Sequence, residues 1–467
     1  MLTFVSKYAT AAHLALLTVA PLFLFPFCGE GEIAKVLFWL SLLVASWVVM
    51  EPSPIGDEYP HDARRRFAAE VVKDPLFWFS VVLVVFAFVR SVNGGVRLAY
   101  DAEAVEWSLR NPAVGVLPGC VDGAGILPFA ACVALLVGLQ GFRHSIDGGA
   151  SVAYLVAASI FAGISAIVAV CAFAFGNQSV ASLVKCEYLN PTFIGTAYGV
   201  HLAGGLVALF CCVERRWVAA EMIVAVGMAA STLGLVFFAP IATILVFGIL
   251  FLVLLLVSAV LSRHAISSAG WLRCMILLLP TVIVAIVAFM LDSDFAFMSA
   301  KREALLSFSI LPDGFREVRD ALSGISLRAW KDCPWLGTGL GAFPLKMRFV
   351  ATQADWSVVS PFQCAPCNGF WAFLVERGVI GASFLVVGTA ILAWTYIARL
   401  VFSRSPRRWR GIHFLAPLTM LALVAVALVD CSFMRADVLL AGGAAMALSS
   451  AALPAEGRCG KTDEEVS

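Results

Sequence analysis

Charged residues are scarce in this chain. Only 13% of its 467 residues are Asp, Glu, Lys or Arg, whereas 61% are apolar, and the mean hydropathy is +0.93. A soluble globular protein has about 45–50% apolar residues, so the composition excludes that class. A net charge of +1 excludes a nucleic-acid-binding protein that depends on a basic surface. The chain also lacks an internal repeat, a low-complexity linker and room for a separate soluble domain.

Long apolar runs recur along nearly the whole chain. A helix that crosses a bilayer needs about 20 mostly apolar residues. The first run predicts a membrane anchor, because no small-residue cleavage site precedes a soluble mature chain. The fold class is therefore an all-α integral membrane protein with about twelve transmembrane helices, at residues 8–27, 34–50, 76–93, 124–142, 151–175, 192–213, 218–237, 239–261, 271–291, 370–398, 413–430 and 435–453.

The distribution of basic residues predicts the orientation. Lys and Arg are retained on the cytoplasmic side of a membrane. One alternating set of connections carries 17 of the 32 basic residues, including Arg64–Arg66 and Arg215–Arg216. The opposite short connections hold only Lys35, Arg90, Arg97, Arg110, Lys185 and Arg435. Both termini are therefore expected in the cytoplasm, with an even number of helices.

One connection is far longer than the others. It covers residues 292–368, between the ninth and tenth predicted helices, and the alternation places it outside. Long connections of this kind are usually functional. A second external stretch, at about 94–122, is expected to cover an external site together with the segment 292–368. The chain then divides into a membrane bundle of about nine helices, the long external segment, about three further helices and a cytoplasmic tail, at 1–291, 292–368, 369–453 and 454–467.

A glycine-rich string, Pro334–Phe343, is the most informative part of the external segment. Gly337, Gly339 and Ala342 match the G-x-G-x-x-A pattern of dinucleotide-binding loops. That function is rejected, because it requires a βαβ unit, which does not fit between two membrane helices. Two interpretations remain, a flexible turn before the tenth helix or a backbone that approaches a bulky ligand closely.

Arginines precede this string within the basic, amphipathic stretch 315–331. Guanidinium groups suit bidentate binding of phosphate. If the stretch is helical, Arg316 and Arg319 share a face and Arg328 lies about 180° from Arg319. One straight helix then cannot direct all three at one phosphate. The simpler interpretation of each is a solvated or headgroup-anchored charge.

The tenth predicted helix opens with two further candidates. Asn368 is suited to capping the helix N-terminus. Glu376 lies eight residues on, about 12 Å into the helix, where an ionisable side chain is costly and a functional candidate. The simpler interpretation of Glu376 is an ion pair with Arg377 near the membrane interface.

These residues resemble the O-antigen ligase family, the membrane glycosyltransferase superfamily that also includes O-antigen polymerases. An Arg about fifteen residues before a P-x-x-G-x-G-x-G-x-F string is matched by Arg319, Pro334, Gly337, Gly339, Gly341 and Phe343. The family's H-N-x7-E-x-G-x-x-G is matched by Asn368, Glu376, Gly378 and Gly381. Leu189–Phe193 resembles the family's F-x-N-P-N more weakly, with Thr192 in place of the second Asn.

The resemblance implies a reaction and a location. The donor would be a glycan on a polyprenyl pyrophosphate, the acceptor a glycan or lipid hydroxyl, and the site the outer side of a bacterial inner membrane, with membrane lipids as further partners. No nucleic acid, cofactor or metal is expected. It implies catalytic roles for Arg319, Glu376 and Cys367, and substrate binding by Arg316, Arg328, Gly337, Gly339, Gly341, Asn368 and Trp335. Trp330 and Trp335 would stack on sugars or anchor at the membrane interface.

The sequence departs from the family at one important position. Cys367 stands where the ligases have His, and none of the six histidines lies in the long external segment. A thiol serves as a base only if positive charge lowers its pKa. Otherwise the acceptor proton would pass to a carboxylate, or the step would need little base catalysis; the candidate carboxylates are Glu376, Asp332, Glu317 and Asp320.

The Cys364-x-x-Cys367 pair has its own alternatives. C-x-x-C forms redox pairs or half of a zinc site, although zinc usually needs four ligands. In an oxidising compartment a structural disulfide is favoured, either within the pair or from Cys333 to one of its members. An oxidised Cys367 cannot act as a base.

Three functions fit these features. A ligase attaches a finished glycan to a different acceptor, whereas a polymerase joins repeat units on the lipid carrier, and the absent His favours the polymerase. A transporter would bind its substrate near the membrane midplane, often between paired halves of the chain. A non-catalytic family member is the remaining alternative.

Overall fold

The fold is taken from a computed structural model. It describes the continuous stretches 97–101, 106–110, 148–175, 194–262, 266–290, 315–339, 341–359, 368–402 and 410–428. It also describes Arg302 and scattered helical residues within 11–23, 69–89 and 438–448.

Six of the described helices are long and apolar enough to cross a membrane. The chain is therefore a multi-pass α-helical membrane protein. The six helices coincide with the spans predicted at 151–175, 192–213, 218–237, 239–261, 271–291 and 370–398. They are α1 (Gly148–Ala174), α2 (Ile194–Arg215), α3 (Val218–Phe238), α4 (Ile241–Ser262), α5 (Ser268–Met290) and α9 (Gly369–Phe402).

The other predicted spans are described only in part. The final described helix, α10 (Arg410–Ala427), contains a shorter apolar stretch within the span predicted at 413–430. The predictions at 8–27, 34–50, 76–93, 124–142 and 435–453 lie wholly or partly outside the described residues. The count of twelve therefore stays a prediction.

Helix α2 lies at the centre of the described bundle. Its apolar window is completely buried, whereas only 22% of the windows of α4 and α5 is buried inside the protein. Helices α1, α3 and α4 pack around α2, and α10 packs on α2 and α4. Uniformly apolar helices of this kind face either other helices or lipid, so the exposed faces of α4 and α5, together with that of α9, whose window is 17% buried, are suited to contact lipid.

Small residues allow the helices of this bundle to approach closely. At the crossing of α1 and α3, a Cβ on Gly163 would lie 2.9 Å from the carbonyl oxygen of Gly227. Small residues at such crossings give membrane helices their tight packing, since lipid supplies no hydrophobic drive for helix association.

A short antiparallel ribbon accompanies the helices in the described part of the chain. Strand β1 (Arg97–Asp101) pairs with β2 (Glu106–Arg110), with Arg97 opposite Arg110 and Tyr100 opposite Trp107. The ribbon falls in the external stretch expected at 94–122. Alternation over five residues is too short a signal to separate from the neighbouring apolar runs.

The long external segment contains three described helices: α6 (Phe315–Asp332), α7 (Phe343–Val350) and the single turn α8 (Gln353–Trp356). The amphipathic stretch 315–331, for which the sequence analysis considered a helix, forms α6. Their apolar faces meet Val375 of α9 in a small separate core, which contains Leu322, Ile325, Ala329, Phe343, Met347 and Val359. This core fixes the segment against the first turns of α9.

Candidate functional site

The glycine-rich loop lies directly on helix α9. Between α6 and α7, the glycines at 337, 339 and 341 have φ angles of 73°, 108° and 69°. This region of backbone space is readily open only to glycine. Within the described residues, the group that this loop approaches closely is the backbone of α9. The interpretation that the loop approaches a bulky ligand stays a prediction.

Helix α9 is interrupted where the loop contacts it. Gly378 has φ 66° and ψ −174°, which is outside helical geometry. The break lies nine residues after Gly369, about 14 Å along the helix. A continuous helix would bond the Val379 N–H to the Val375 carbonyl and the Ile380 N–H to the Glu376 carbonyl. Both of those bonds are replaced.

The loop supplies new partners for all four backbone groups. The Thr338 and Gly339 N–H groups donate to the carbonyls of Val375 and Glu376, at 2.8 and 3.1 Å. In the other direction, the Val379 and Ile380 N–H groups donate to the carbonyls of Pro334 and Trp335, at 2.9 and 3.1 Å. The Thr338 hydroxyl adds a bond of 3.2 Å to the Val375 carbonyl. A membrane helix tolerates a break only where such groups are satisfied.

Two charged side chains are buried at the break. Glu376 and Arg377 are each 8% exposed. The Arg377 Nη1 lies 3.9 Å from the Glu376 Oε2, and the guanidinium lies 4.2 Å from the centroid of the Phe373 ring. The expected pairing of Glu376 with Arg377 is therefore present, but it lies in a buried environment.

The start of α9 is capped as the sequence predicts. The Asn368 Oδ1 accepts a hydrogen bond from the Trp371 N–H at 2.9 Å, and the Asn368 carbonyl accepts one from the Ala372 N–H at 3.0 Å. This is ordinary N-cap geometry, and it gives Asn368 a structural role. Cys364 and Cys367, which precede it, lie outside the described residues.

Among the three candidate arginines of α6, Arg319 and Arg328 donate to different parts of the protein. Arg319 Nη2 donates to the Leu428 carbonyl at 3.3 Å, at the end of α10. Arg328 faces the other way: its Nε donates to the Val350 carbonyl at 2.9 Å and its Nη2 to the Asp355 Oδ2 at 2.5 Å. Arg316 is placed on α6 by its backbone. Arg328 thus joins α6 to α7 and α8, and the predicted separation of Arg319 from Arg328 is confirmed.

Asp355 is the acceptor in this contact between α6 and α8. It completes a capping box with Thr352 at the start of α8. Burial opposes ionisation of Asp355, but hydrogen bonds from Thr352 and the charge of Arg328 outweigh it and lower the pKa of the Asp355 carboxyl below its ordinary value. Asp355 and Arg328 therefore stabilise the external unit.

The other candidate bases are exposed, unlike Glu376. Asp332 forms an ion pair with Lys346 at 2.6 Å, and Glu317 and Asp320 are exposed on α6. Among the described carboxylates of α6 and the first half of α9, Glu376 is the one that burial and an adjacent guanidinium distinguish.

The structure also shows the exposure and contacts of Trp335, Trp330 and Cys333. Trp335 is 68% exposed, so its ring is open to a ligand or to lipid, whereas the Trp330 Nε1 donates to the Pro334 carbonyl at 3.2 Å. Cys333 is an exposed free thiol. Among the described residues Cys333 has no disulfide partner, and Cys364 and Cys367 lie outside them, so the predicted disulfides of this group stay predictions.

Sequence reasoning named Arg377 only as an ion-pair partner of Glu376 and did not select Thr338. Arg377 follows Glu376 directly, and neighbouring residues on a regular helix do not face each other. Thr338 lies between two glycines of the loop, and its buried hydroxyl helps to hold the broken helix. The Asn190-Pro191-Thr192 string, by contrast, lies outside the described residues.

The chain matches no protein-family model, and no curated protein is significantly similar to it. The features that bear on its function are therefore structural. A glycine-rich external loop is hydrogen-bonded to a broken membrane helix, and a buried Glu376–Arg377 pair lies at the break.

Proposed function

We propose that the chain is an O-antigen ligase-like membrane glycosyltransferase. It moves a glycan from a polyprenyl pyrophosphate donor to a hydroxyl acceptor outside the membrane, as a surface polysaccharide ligase or polymerase. The proposed location is a bacterial inner membrane, with both termini in the cytoplasm and the long segment outside. Glycan or lipid acceptors and membrane lipids are its proposed partners.

One observation carries the proposal. The two motifs that resemble the family are separated by 24 residues in the sequence, 344–367. They meet through four backbone hydrogen bonds between residues 37 to 45 positions apart, from Pro334–Gly339 to Val375–Ile380. A flexible turn has no reason to contact this helix. The contact fixes the loop that follows the Arg-bearing helix α6 against the helix that carries Glu376, and the proposal places a cation of α6 and Glu376 in one site.

The proposed reaction uses these residues as follows. The acceptor oxygen attacks the anomeric carbon, a new C–O bond forms, and the bond from that carbon to the pyrophosphate oxygen breaks with its electron pair. The acceptor proton passes to the Glu376 carboxylate. Arg319 stabilises the charge that develops on the departing pyrophosphate, the role that preorganised cations have in such steps. The leaving group is already activated, so the proposal includes no nucleotide, cofactor or metal.

The other predicted site residues have supporting roles in the proposal. Trp335 offers an exposed ring for a sugar face or the membrane interface. Gly337, Gly339 and Gly341 shape the loop. Arg316 stays a candidate for the donor phosphates, and Cys367 for the acceptor proton. Arg328 and Asn368 already have structural partners, so they enter the proposal as supports of the site.

A transporter is the second candidate, and the break in α9 favours it. Transporters bind substrates at discontinuous helices near the membrane midplane, where unwound carbonyls coordinate ions. In α9, however, the carbonyls of Val375 and Glu376 already accept hydrogen bonds from Thr338 and Gly339. The transferase therefore fits better.

A gel profile of surface and lipid-linked glycans tests the proposal in a host that lacks the gene, beside the parent and a complemented strain. Acceptors capped with a single repeat, without long chains, would identify a polymerase. Long chains retained on the lipid carrier and absent from the acceptor would identify a ligase. An unchanged profile in every pool would contradict glycan transfer.

A further inference from the structure

Arg377 occupies a position that the resemblance leaves undefined, the x of E-x-G-x-x-G. On a regular helix it would point about 100° away from Glu376. In this chain both side chains are buried, and their charged atoms lie 3.9 Å apart. The helix ends immediately afterwards at Gly378. Arg377 is thus part of the break itself.

The surroundings keep the Arg377 guanidinium in place. It lies over the ring of Phe373, four residues earlier on the same helix face, at 4.2 Å from the ring centroid. Arginine stays protonated at every pH at which a protein is folded. Arg377 therefore presents a permanent positive charge to the Glu376 carboxylate.

A buried carboxylate needs such a charge. Burial in a low-dielectric environment favours the neutral acid, whereas an opposite charge within about 4–6 Å favours the carboxylate. A general base must be ionised before it can accept a proton. Glu376 can therefore serve as the base only if the attraction of the Arg377 charge outweighs the effect of burial.

Other charged groups belong to the elements that pack on this part of α9. Arg319, Arg328 and Lys346 are engaged by the Leu428 carbonyl, Asp355 and Asp332. The complete set on α6, α7 and α10 is Arg316, Glu317, Arg319, Asp320, Arg328, Lys331, Asp332, Lys346, Arg348, Arg410 and His413. Among the described residues, Arg377 lies within ion-pair distance of Glu376.

We propose that Arg377 is a positioning residue that holds Glu376 ionised and oriented at the helix break for removal of the acceptor proton. This inference rests on the proposed function. It assigns a specific task to a residue outside the motif positions, and it predicts how transfer depends on pH.

The experiment measures the initial rate of glycan transfer against pH for the full chain in lipid nanodiscs, with a polyprenyl-pyrophosphate-linked glycan donor. The variants are Arg377→Gln, Arg377→Lys and Glu376→Gln. Arg348→Gln is the control, because it removes an exposed positive charge from the same segment.

Loss of the Arg377 charge removes an interaction that favours the ionised carboxylate of Glu376, so the acidic limb of the Arg377→Gln profile should move upward by about one pH unit or more. Arg377→Lys keeps the charge, so its limb should stay at the wild-type position even if the rate falls. Glu376→Gln should abolish transfer, and Arg348→Gln should match the wild type.

A purely structural role would lower the Arg377→Gln rate equally at every pH, and that result would overturn the inference. If Arg377→Gln does not fold, a limb for Arg377→Lys that moves upward by about one pH unit overturns it instead. Absence of transfer by the wild-type chain at every pH would contradict the proposed function itself. Transfer by the wild-type chain, together with an Arg377→Gln rate lowered equally at every pH, would overturn only the inference about Arg377.

Discussion

Gly337 and Gly378 lie backbone against backbone. A Cβ on Gly337 would lie 2.5 Å from the Gly378 nitrogen, and a Cβ on Gly378 would lie 2.5 Å from the Gly337 nitrogen. Both residues have positive φ angles, 73° and 66°. No other residue type satisfies both conditions at either position, so this contact is what joins the external loop to the broken helix.

Gly378→Ala should separate the loop from α9. The new methyl group combines left-handed backbone strain with a clash against Trp335 and Gly337, which together cost at least about 2 kcal/mol. We expect a lower melting temperature and strongly reduced transfer, measured by thermal unfolding and by the glycan gel. The matched control is Gly248→Ala in α4, where nothing lies within 4 Å of the added carbon. Wild-type behaviour of Gly378→Ala would contradict the importance of the contact.

Arg319→Ala should abolish transfer while the protein stays in the membrane at its normal level. Removal of one preorganised group that stabilises transition-state charge lowers rates by about 100–1000-fold. The measurement is the glycan profile of a complemented strain, with the protein level checked by immunoblot. Arg348→Ala, an exposed arginine of α7, is the control and should transfer normally. Normal transfer by Arg319→Ala would eliminate Arg319 from the site.

Much of the fold was predictable because bilayer physics leaves a strong local signal. A run of about 20 apolar residues has few structural options, and six predicted spans coincide with described helices. The amphipathic pattern of α6 and the helix cap at Asn368 are also signals that a short stretch of sequence carries. The ribbon at 97–110 was not predicted, because two five-residue strands depend on pairing with each other.

The site was predictable in its residues but not in its geometry. Glu376 and the three loop glycines were selected from the sequence, yet nothing local shows that Gly378 interrupts α9. The break depends on hydrogen bonds from Thr338 and Gly339, almost 40 positions earlier in the chain. The pairing of Arg377 with Glu376 was considered from the sequence, but the burial of the pair was not predicted, because it depends on the same contact.

Asp355→Asn should destabilise the external unit in a pH-dependent way. The pKa of Asp355 is lowered in the folded protein, so the charge stabilises the fold above the ordinary carboxyl range, and this contribution is lost as the pH falls through the folded value. At about pH 7 we expect a loss of about 1 kcal/mol, and convergence of the two melting temperatures towards about pH 3. An equal difference at both pH values would contradict the electrostatic explanation. Gln353→Ala on the same exposed turn is the control.

Cys333 offers a test of orientation. It is an exposed free thiol at the end of α6, in the segment that the basic-residue distribution places outside. A membrane-impermeant maleimide should therefore label Cys333 in intact spheroplasts, and Cys333→Ser should remove that label. Labelling of Cys333 only after the membrane is opened would reverse the proposed topology.

Cys367→Ser tests whether the thiol replaces the family's His. If Glu376 accepts the acceptor proton, Cys367→Ser should retain transfer, and Glu376→Gln should lose it. The measurement is transfer at equal protein level, with a mass-spectrometric check for a Cys364–Cys367 disulfide in the wild type. Loss of transfer by Cys367→Ser in a chain without that disulfide would move the base from Glu376 to Cys367.

The central claim is tested most directly by reconstitution. The purified chain in lipid nanodiscs would receive a radiolabelled glycan on a polyprenyl pyrophosphate, together with a hydroxyl-bearing acceptor, and the label on donor and acceptor would be followed over time. We predict that label moves from the lipid to the acceptor, that Arg348→Ala supports the same transfer, and that Arg319→Ala does not. Label that stays on the lipid carrier with the intact wild-type chain, across acceptors of both the lipid and the repeat-unit type, would contradict the account.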